Sequence, residues 1–220
     1  MQPGQLILDI ACGNGSFSRR LAQLGAQVVA CDFSQEFIRL AKARTTGHVD
    51  RIAYHVIDAT DEAQLLALGR HRFDAAVCTM GIMDMPAIEA LFNAVSQLLK
   101  ANRPFVFSVM HPCFNSNLST KVIDEEDRDG EIITTYAVKV TRYIHPFTVK
   151  GIGFRGQPIT QYYFHRPISA LFNAAFRAGF VLDGLEEPAF DGTTESRQPR
   201  GWANYTEIPP VFIARMRVTR

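Results

Sequence analysis

The sequence predicts an α/β fold in which helices cover both faces of a doubly wound, mostly parallel sheet. Apolar runs typical of buried strands alternate with helical periodicity along the 220 residues. The first run ends in Asp9 and a Gly-x-Gly turn, and a helical pattern follows at once. The second run ends in another acid, Asp32. This length suits one domain with a large core, so we expect a single domain over residues 1–220.

The turn after the first strand has the composition of a ligand-binding loop. Gly13, Asn14 and Gly15 separate the apolar run from the helix, and glycine permits both a tight turn and the close approach of a ligand to the backbone. Asp32 lies about where a nucleotide-binding βαβ unit places the carboxylate that accepts from ribose hydroxyls. We therefore expect this chain to bind a ligand that contains a ribose.

Two residues indicate which ligand this is. A dinucleotide-binding motif has a third glycine three residues after the second, and this chain has Ser18 there. Asp9 would repel a pyrophosphate, whereas it suits a ligand with positive charge. S-adenosylmethionine has a ribose, an ammonium group and a sulfonium but no phosphate. The pair of Asp9 and Asp32 therefore favours it over a dinucleotide.

A third strand-like segment, residues 52–57, ends in Asp58, Ala59 and Thr60. An acid at this edge of the sheet can accept a hydrogen bond from the exocyclic amine of adenine. With this segment the chain resembles the class I S-adenosylmethionine-dependent methyltransferases that act on small molecules. The resemblance covers nearly the whole chain and rests on four segments in the family's order: residues 8–15, 28–34, 57–60 and 73–78.

The resemblance implies both a fold and a reaction. The fold is Rossmann-like, with a seven-stranded sheet of order 3-2-1-4-5-7-6 in which strand 7 is antiparallel. The reaction is that of an enzyme that converts S-adenosyl-L-methionine to S-adenosyl-L-homocysteine while methylating oxygen, nitrogen or carbon of an acceptor by in-line displacement. The family contacts the methionine part of the cofactor with the loop after strand 4, which implies Thr79 and Met80. Ala11 stands where glycine is more frequent, and we expect it to add only a methyl group.

Each of these residues also has a purely structural interpretation. A single Asp after a strand commonly caps a turn or a helix. Phe33 could pack on the adenine ring or serve as a core residue beside the next helix. The joint occurrence of three acids and the glycines favours the binding interpretation. The expected cofactor-binding residues are Asp9, Ala11, Gly13, Asn14, Gly15, Asp32, Phe33, Asp58, Ala59, Thr79 and Met80.

The helices follow from apolar periodicity and from capping residues. The clearest apolar stripe covers residues 87–99, and Gly179 should end the last helix, residues 167–178. Further strands are expected at residues 105–110, 180–186 and 212–218. The first helix should end at Gly25 and bury Phe17, Leu21 and Leu24. Ser34 should cap the second helix, which should bury Phe37, Ile38 and Ala41. A third helix should follow Asp61 and bury Leu65, Leu66 and Leu68.

Residues 112–165 form an insertion after the fifth strand. Two stretches rich in strand formers, residues 131–143 and 154–165, predict an antiparallel β-ribbon, and the acidic residues 124–129 are expected in a solvated turn. Ligands of doubly wound folds bind outside the carboxyl ends of the strands, so we expect the insertion to cover the acceptor site. Candidate acceptor-pocket residues are Tyr162, Tyr163 and Arg166, and the role of His145 is open.

Two histidines are the candidate catalytic residues. His111 directly follows the fifth strand, and His165 precedes the helix at residues 167–178. The chain resembles related small-molecule methyltransferases in the His-Pro-Cys-Phe and Tyr-x-His-Arg-Pro segments around them. Histidine is suited to proton transfer near neutral pH, if the acceptor must lose a proton. Either could instead be a structural hydrogen-bonding residue.

Composition excludes several other classes of function. A net charge of +1 gives no electrostatic basis for binding nucleic acid. The four cysteines have no metal-ligand spacing, so we expect no metal. No signal peptide or membrane-spanning run is evident, which favours a cytoplasmic protein without a membrane partner. Only five residues precede the first strand, so the chain either lacks the family's usual N-terminal helical lid or begins inside a longer protein.

Three hypotheses about function follow. The first is methyl transfer to a small-molecule acceptor. The second is an RNA or protein methyltransferase, against which the near-neutral charge and the absence of an Asn/Asp-Pro-Pro-Tyr/Phe motif after strand 4 both count. The third is a cofactor-binding but inactive regulatory domain, which the missing lid favours. Neither the acceptor nor the oligomeric state follows from the sequence.

Overall fold

The structure is a computed structural model that describes residues 2–153, 156–193 and 198–219. A seven-stranded sheet forms its centre. Its strands are β1 (Leu6–Ile10), β2 (Gln27–Asp32), β3 (Ile52–Val56), β4 (Ala75–Thr79), β5 (Pro104–Met110), β10 (Phe180–Glu186) and β11 (Val211–Val218). Five helices accompany them: α1 (Ser16–Gln23), α2 (Gln35–Arg44), α3 (Glu62–Leu66), α4 (Glu89–Leu98) and α5 (Ile168–Arg177).

The strand order is β10-β11-β5-β4-β1-β2-β3. The first five strands are parallel, whereas β11 runs antiparallel to both β5 and β10. If β10 and β11 are counted as strands 6 and 7, this is the order 3-2-1-4-5-7-6. The predicted fold class is therefore confirmed. The order also brings the loops that follow β1, β2, β3 and β4 to one edge of the sheet.

The core lies on both faces of this sheet. Side chains of α3, α4 and α5 pack on one face, where six predicted apolar positions of the fourth helix are all buried: Ile88, Leu91, Phe92, Val95, Leu98 and Leu99. A smaller cluster covers the opposite face, with Leu21 and Ala22 of α1 against alternate residues of β1 and β2. This alternation is the two-residue period of a strand whose faces are both covered.

The predicted buried face of α1 was wrong in part. Phe17 is 40% exposed and Leu24 is 50% exposed, while Ser18, Leu21 and Ala22 are buried. The helix packs closely against the sheet, and the small Ser18 and Ala22 permit this where a phenylalanine would not. Gly25 follows the helix with a φ of 97°, as expected for its end.

The second helix shows a similar difference. Ser34 caps α2 as predicted, since its Oγ accepts a hydrogen bond from Phe37 N. Ile38 and Ala41 are buried, but Phe37 is exposed. The prediction for Phe37 was therefore wrong, because this side chain lines a cavity at the carboxyl ends of the strands instead of packing in the core.

The insertion contains two separate hairpins instead of one ribbon. In the first, β6 (Thr120–Arg128) pairs with β7 (Glu131–Lys139); in the second, β8 (Phe147–Gly151) pairs with β9 (Gln161–His165). The predicted pairing of residues 131–143 with 154–165 was thus wrong, and Phe154 lies outside the described residues. Most of the acidic stretch 124–129 belongs to β6, not to a turn. Asp129 and Gly130 form the turn with positive φ values, a strong hairpin signal that the sequence analysis did not use.

Within the described residues, no helix is long and apolar enough to cross a membrane. The same residues contain no group of three or more His, Cys, Asp or Glu side chains positioned to hold a metal ion.

Candidate cofactor and acceptor site

The loops at the carboxyl ends of β1, β2, β3 and β4 enclose a cavity of about 330 Å³, here called the larger cavity. Its volume is in the range of small-molecule sites. The lining is mostly apolar with a few carboxylates, and comprises Ala11, Gly13, Asp32, Phe33, Phe37, Ile57, Asp58, Ala59, Thr60, Met80, Gly81, Asp84, Met85 and Pro86.

Asp32 connects the loop after β1 to the start of α2. Its Oδ2 accepts a hydrogen bond of 2.9 Å from Gly13 N, and its Oδ1 accepts one of 2.9 Å from Ser34 N. Burial raises the pKa of the Asp32 carboxyl, and the two backbone N–H groups oppose that shift. Each carboxylate oxygen can accept two hydrogen bonds. Asp32 therefore orders both loops and keeps acceptor capacity toward the cavity.

The two glycines of the first loop serve different purposes. A Cβ atom added to Gly13 would have no atom within 4 Å, so this backbone borders open space beside the cavity. A Cβ atom added to Gly15 would lie 2.5 Å from Tyr54 Oη and 3.0 Å from Ala41 Cβ. Gly15 also has a φ of 75°. Glycine is therefore required at position 15 by packing, whereas at position 13 it leaves room for a ligand.

Seven of the eleven predicted cofactor residues line the larger cavity: Ala11, Gly13, Asp32, Phe33, Asp58, Ala59 and Met80. Asn14, Gly15 and Thr79 do not, and Thr79 borders a groove beside α1 instead. Asp9 is buried beneath the loop, where its carboxylate accepts a hydrogen bond of 2.5 Å from Ser18 Oγ. Burial raises the pKa of Asp9 to about 7; the bond from Ser18 opposes the shift and the charge of Asp32 adds to it.

Asp58 also makes local hydrogen bonds. Its Oδ1 accepts from Thr60 N at 2.8 Å and from Thr60 Oγ1 at 2.7 Å, which is the turn-capping geometry expected of an Asp after a strand. Among the described residues no hydrogen bond is recorded for its Oδ2. The turn therefore orients Asp58 at the cavity and leaves one carboxylate oxygen for a ligand.

Ala11 does more than add a methyl group. Its φ is 55°, in the left-handed region, which costs a residue with a Cβ atom about 1–2 kcal/mol. The Ala11 Cβ lies 2.6 Å from the position that a Cβ on Gly81 would take. The expectation of a minor change was therefore wrong, because the alanine carries backbone strain and requires a glycine opposite it.

Asp84 lines the larger cavity but was not among the predicted cofactor residues. Burial raises the pKa of Asp84 to about 6; a hydrogen bond of 3.3 Å from Gln161 Nε2 opposes this shift, and the charge of Asp32 adds to it. The signal was an acid five residues beyond the end of β4, in the loop that the family uses for its cofactor. The other cavity residues that were missed are Phe37, Ile57, Thr60, Gly81, Met85 and Pro86.

Comparison with known proteins identifies this arrangement. A sequence profile described as "Methyltransferase domain" matches residues 7–102, which include β1–β4 and all four loops. A crystal structure of an S-adenosylmethionine-dependent methyltransferase from Mesorhizobium loti is 25% identical, with a TM-score of 0.73, over 98% of this chain and 91% of that one. Residues 7–102 therefore match a methyltransferase domain, and the chain as a whole is similar in fold to S-adenosylmethionine-dependent methyltransferases.

Two further similarities extend this comparison. The glycopeptide N-methyltransferase MtfA, crystallised with S-adenosylmethionine, has a TM-score of 0.63 at 15% identity, over 99% of this chain and 89% of that one. At that identity the likeness concerns the fold. The ubiquinone biosynthesis O-methyltransferase of Xanthomonas campestris pv. campestris is 31% identical over 109 residues, 50% of this chain and 44% of that protein. The chain therefore spans less than half the length of the curated relatives that it matches.

The structure has a second, smaller cavity of about 50 Å³ between the end of β5 and the second hairpin. The 3-10 turn at Ile82–Asp84 borders both cavities, since Ile82 and Met83 line the smaller one and Asp84 the larger. Both candidate catalytic histidines line the smaller cavity. Its remaining lining residues are Val109, Met110, Pro112, Asn115, Ser116, Asn117, Phe147, Val149, Tyr163, Phe164, Arg166 and Leu171.

His111 uses both of its ring nitrogens within the protein. Nδ1 accepts a hydrogen bond of 3.1 Å from Cys113 N, so Nε2 carries the hydrogen that it donates to Glu187 Oε1 at 2.7 Å. The buried ring also packs on Phe114, with 4.5 Å between ring centroids. His111 therefore has no ring nitrogen available to an acceptor in this arrangement.

His165 differs in this respect. Its Nε2 lies 2.8 Å from the carbonyl oxygen of Tyr143, so Nε2–H donates and Nδ1 is left as an acceptor. The ring stacks on Phe147, with 4.4 Å between centroids. Among the described residues no hydrogen bond is recorded for Nδ1. The hairpin therefore holds His165 by one nitrogen and leaves the other available.

Two of the remaining acceptor candidates line the smaller cavity and two residues of the insertion do not. Tyr163 is buried at the smaller cavity, and Arg166 lines it while donating hydrogen bonds to Met85 O at 2.7 Å and Pro86 O at 2.8 Å. Burial lowers the pKa of Arg166. Tyr162 and His145 are exposed and line neither cavity. Asn115 and Ser116 were not singled out, because single polar residues in an insertion give no sequence signal.

Proposed function

We propose that this chain binds S-adenosylmethionine in the larger cavity and transfers its methyl group to a small molecule held at the smaller one. The observation that carries the proposal is the contact of Asp32 with both Gly13 and Ser34 at the mouth of a 330 Å³ cavity. The similarity of 109 residues of this chain to a curated O-methyltransferase supports a small-molecule acceptor.

The residues at the larger cavity fit this cofactor. Asp32 has remaining acceptor capacity for the two ribose hydroxyls, and Asp58 Oδ2 can accept from the adenine amine. Phe33 is 73% exposed at the cavity and offers a ring face for the adenine. The open space beside Gly13 would be filled by any side chain at that position.

Asp84 is the carboxylate that we assign to the positive charge of the cofactor. It lines the cavity, whereas Asp9 is buried and bonded to Ser18. Burial raises the pKa of Asp84, with a smaller contribution from the charge of Asp32, and a bound cation would stabilise the ionised form. Asp9 then contributes indirectly, through the helix α1 to which Ser18 belongs.

The cofactor supplies a methyl group that its sulfonium already activates. The protein has to align the acceptor and exclude water. We propose that the insertion, residues 112–165, does both, since its second hairpin provides Tyr163 and His165 to the smaller cavity. For an acceptor that must lose a proton, His165 Nδ1 can take it while Nε2–H stays bonded to the Tyr143 carbonyl, whose dipole stabilises the imidazolium.

Calorimetric titration tests this proposal. We expect S-adenosylmethionine and S-adenosylhomocysteine to bind, and NAD not to bind. Asp32→Ala and Asp58→Ala should each weaken binding by about 10–100-fold, the effect of a lost hydrogen bond to a charged group. Asp50→Ala, in an exposed turn away from the cavity, is the matched control. Unchanged affinity in both cavity variants, with folding verified by thermal denaturation, would refute the site.

A further inference from the structure

One polar atom of a residue that lines the smaller cavity has no hydrogen-bond partner among the described residues. Ser116 is 9% exposed, and among the described residues its Oγ is the one buried side-chain nitrogen or oxygen for which no hydrogen bond is found. The backbone of the same turn is satisfied, because Ser116 O accepts from Ser119 N at 2.9 Å and from Ser119 Oγ at 2.7 Å. The neighbouring Asn115 Nδ2 donates to Pro210 O at 2.9 Å.

An unpaired buried hydroxyl is unfavourable, and native proteins contain few of them. Ser116 lines the smaller cavity, but its Oγ is itself shielded, so a ligand in the cavity bonds to this hydroxyl only after the side chain turns toward it. An alanine at this position would avoid the desolvation penalty. The hydroxyl is therefore best explained by a ligand that bonds to it.

His165 specifies the chemistry of that ligand further. Among the described residues no hydrogen bond is recorded for its Nδ1. This nitrogen acts as an acceptor, because Nε2–H is bonded to Tyr143 O. A serine hydroxyl can both donate and accept. A hydroxyl group on the ligand would satisfy both residues, since it can donate to His165 Nδ1 and accept from Ser116 Oγ.

Other polar groups fit less well. A carboxylate has no hydrogen to offer the unprotonated His165 Nδ1, and Arg166 in the lining already donates to Met85 O and Pro86 O. An ammonium group would meet no acidic side chain among the described residues that line the cavity, and it would meet Arg166. The volume of about 50 Å³ is well below the roughly 150 Å³ cavity that holds benzene, so it admits a substituent and not a whole ring.

We propose that Ser116 and His165 form a subsite that recognises a hydroxyl group of the methyl acceptor. The walls of this subsite are apolar, with Ile82, Val109, Phe147 and Leu171 around the two polar groups. The acceptor is thus an alcohol or a phenol that inserts its hydroxyl between these residues. This inference rests on the proposed function in that the ligand is taken to be the acceptor.

Two measurements on Ser116→Ala test the subsite. The first is the melting temperature of the ligand-free protein, which should rise by about 2–4 °C or stay unchanged, because an unsatisfied hydroxyl is removed. The second is a titration with phenol and with toluene, followed by ligand-observed NMR, with and without S-adenosylhomocysteine. The two probes have the same shape but differ in the hydroxyl.

The wild-type protein should bind phenol more tightly than toluene. Ser116→Ala should weaken phenol binding by about 3–10-fold and leave toluene binding unchanged, the effect of one neutral hydrogen bond. His165→Phe, which keeps an aromatic ring beside Phe147, should also remove the preference for phenol. Ser119→Ala is the matched control from the same turn, since its hydroxyl is bonded to Phe114 O and Ser116 O. It should lower the melting temperature and retain the preference.

Three results would overturn the subsite. These are equal binding of phenol and toluene by the wild type, tighter binding of benzoate or benzylamine than of phenol, and a lower melting temperature of Ser116→Ala with its phenol preference intact. The titrations without S-adenosylhomocysteine do not depend on cofactor binding. A chain that selects phenol but fails to bind S-adenosylmethionine would refute the proposed function and leave the subsite standing.

Discussion

Ser18 Oγ donates a hydrogen bond of 2.5 Å to the carboxylate of Asp9, and both residues are buried between β1 and α1. Ser18 occupies the position at which a dinucleotide motif has its third glycine, and Asp9 is an acid that such a motif lacks. The two departures from that motif are therefore one structural feature. A small residue lets the helix approach the strand, and its hydroxyl provides the partner that the buried acid needs.

The first prediction concerns the energy of this hydrogen bond. Ser18→Ala should lower the free energy of unfolding by about 1–3 kcal/mol at pH 8, because it leaves a buried carboxylate without its partner. Urea denaturation measures the change. Ser16→Ala, at the exposed start of the same helix, should have little effect. Equal stability of the two variants would show that Asp9 does not depend on Ser18.

The second prediction concerns the pH dependence of stability. Burial raises the pKa of Asp9 from 3.8 to about 7, so the folded protein binds this proton more tightly than the unfolded chain. The stability linked to Asp9 should be fully present below about pH 4 and decrease as the pH rises through 7. Asp9→Asn should reduce this decrease, as measured by urea denaturation at pH 5 and pH 8. Asp129→Asn, in an exposed turn, should retain it; an identical pH profile for Asp9→Asn would contradict the assignment.

The third prediction separates the two glycines of the first loop. Gly15→Ala should destabilise the protein, because the new Cβ would lie 2.5 Å from Tyr54 Oη. Adding Tyr54→Phe removes that oxygen and should restore part of the loss relative to Tyr54→Phe alone. Gly13→Ala meets no atom and should chiefly weaken S-adenosylmethionine binding, with a smaller cost from its φ of 53°. Thermal denaturation measures the loss of stability and calorimetry the loss of binding. Equal effects of the two alanine substitutions on stability would contradict the prediction.

The fourth prediction concerns Phe33. Its exposed ring lines the larger cavity, so Phe33→Ala should weaken S-adenosylmethionine binding by about 3–10-fold and leave the melting temperature nearly unchanged. Phe190→Ala is a suitable comparison, since Phe190 is 40% exposed and does not line the cavity. If both variants bind equally well in calorimetry, Phe33 has no part in cofactor binding.

The fifth prediction concerns Asp84 and its raised pKa of about 6. Binding of a cation favours the ionised carboxylate, so affinity for S-adenosylmethionine should increase as the pH rises from 5 to 7. Asp84→Asn should bind more weakly at pH 7 and lose part of that increase. Gln161→Ala removes the hydrogen bond that favours the ionised form, so it should move the increase to higher pH. Calorimetry at pH 5, 6 and 7 decides this, and an unaltered profile in both variants would count against the role of Asp84.

The extent of agreement between sequence and structure differs from one part of the chain to another. The strand order and the placement of Asp32, Asp58 and Gly13 at one cavity were predictable, because each depends on a short motif whose neighbours along the chain position it. The strand β9 was predicted to pair with the segment that forms β7, whereas it pairs with β8. Strand-forming composition identifies β9 but does not say whether β7 or β8 lies beside it.

The predictions of buried helix faces were likewise correct for one helix and wrong in part for others. The apolar stripe of α4 was correct because that helix is covered along its length, so periodicity and burial coincide. The prediction that Phe17, Leu24 and Phe37 are buried was wrong, because these side chains are exposed near the ends of their helices. Their exposure depends on where the sheet ends, which local periodicity does not contain.

The sequence by itself determined the fold class, the loops that enclose the larger cavity and the histidines worth considering, because these are encoded in residues close together along the chain. Only the tertiary structure decided that Asp9 is bonded to Ser18 and that both ring nitrogens of His111 are paired. It also decided that, among the described residues, no hydrogen bond is recorded for His165 Nδ1 or Ser116 Oγ. These distinctions depend on hydrogen bonds and packing between distant segments, such as Glu187 with His111. The energy of a buried polar group depends on which atoms surround it, and folding alone brings those atoms together.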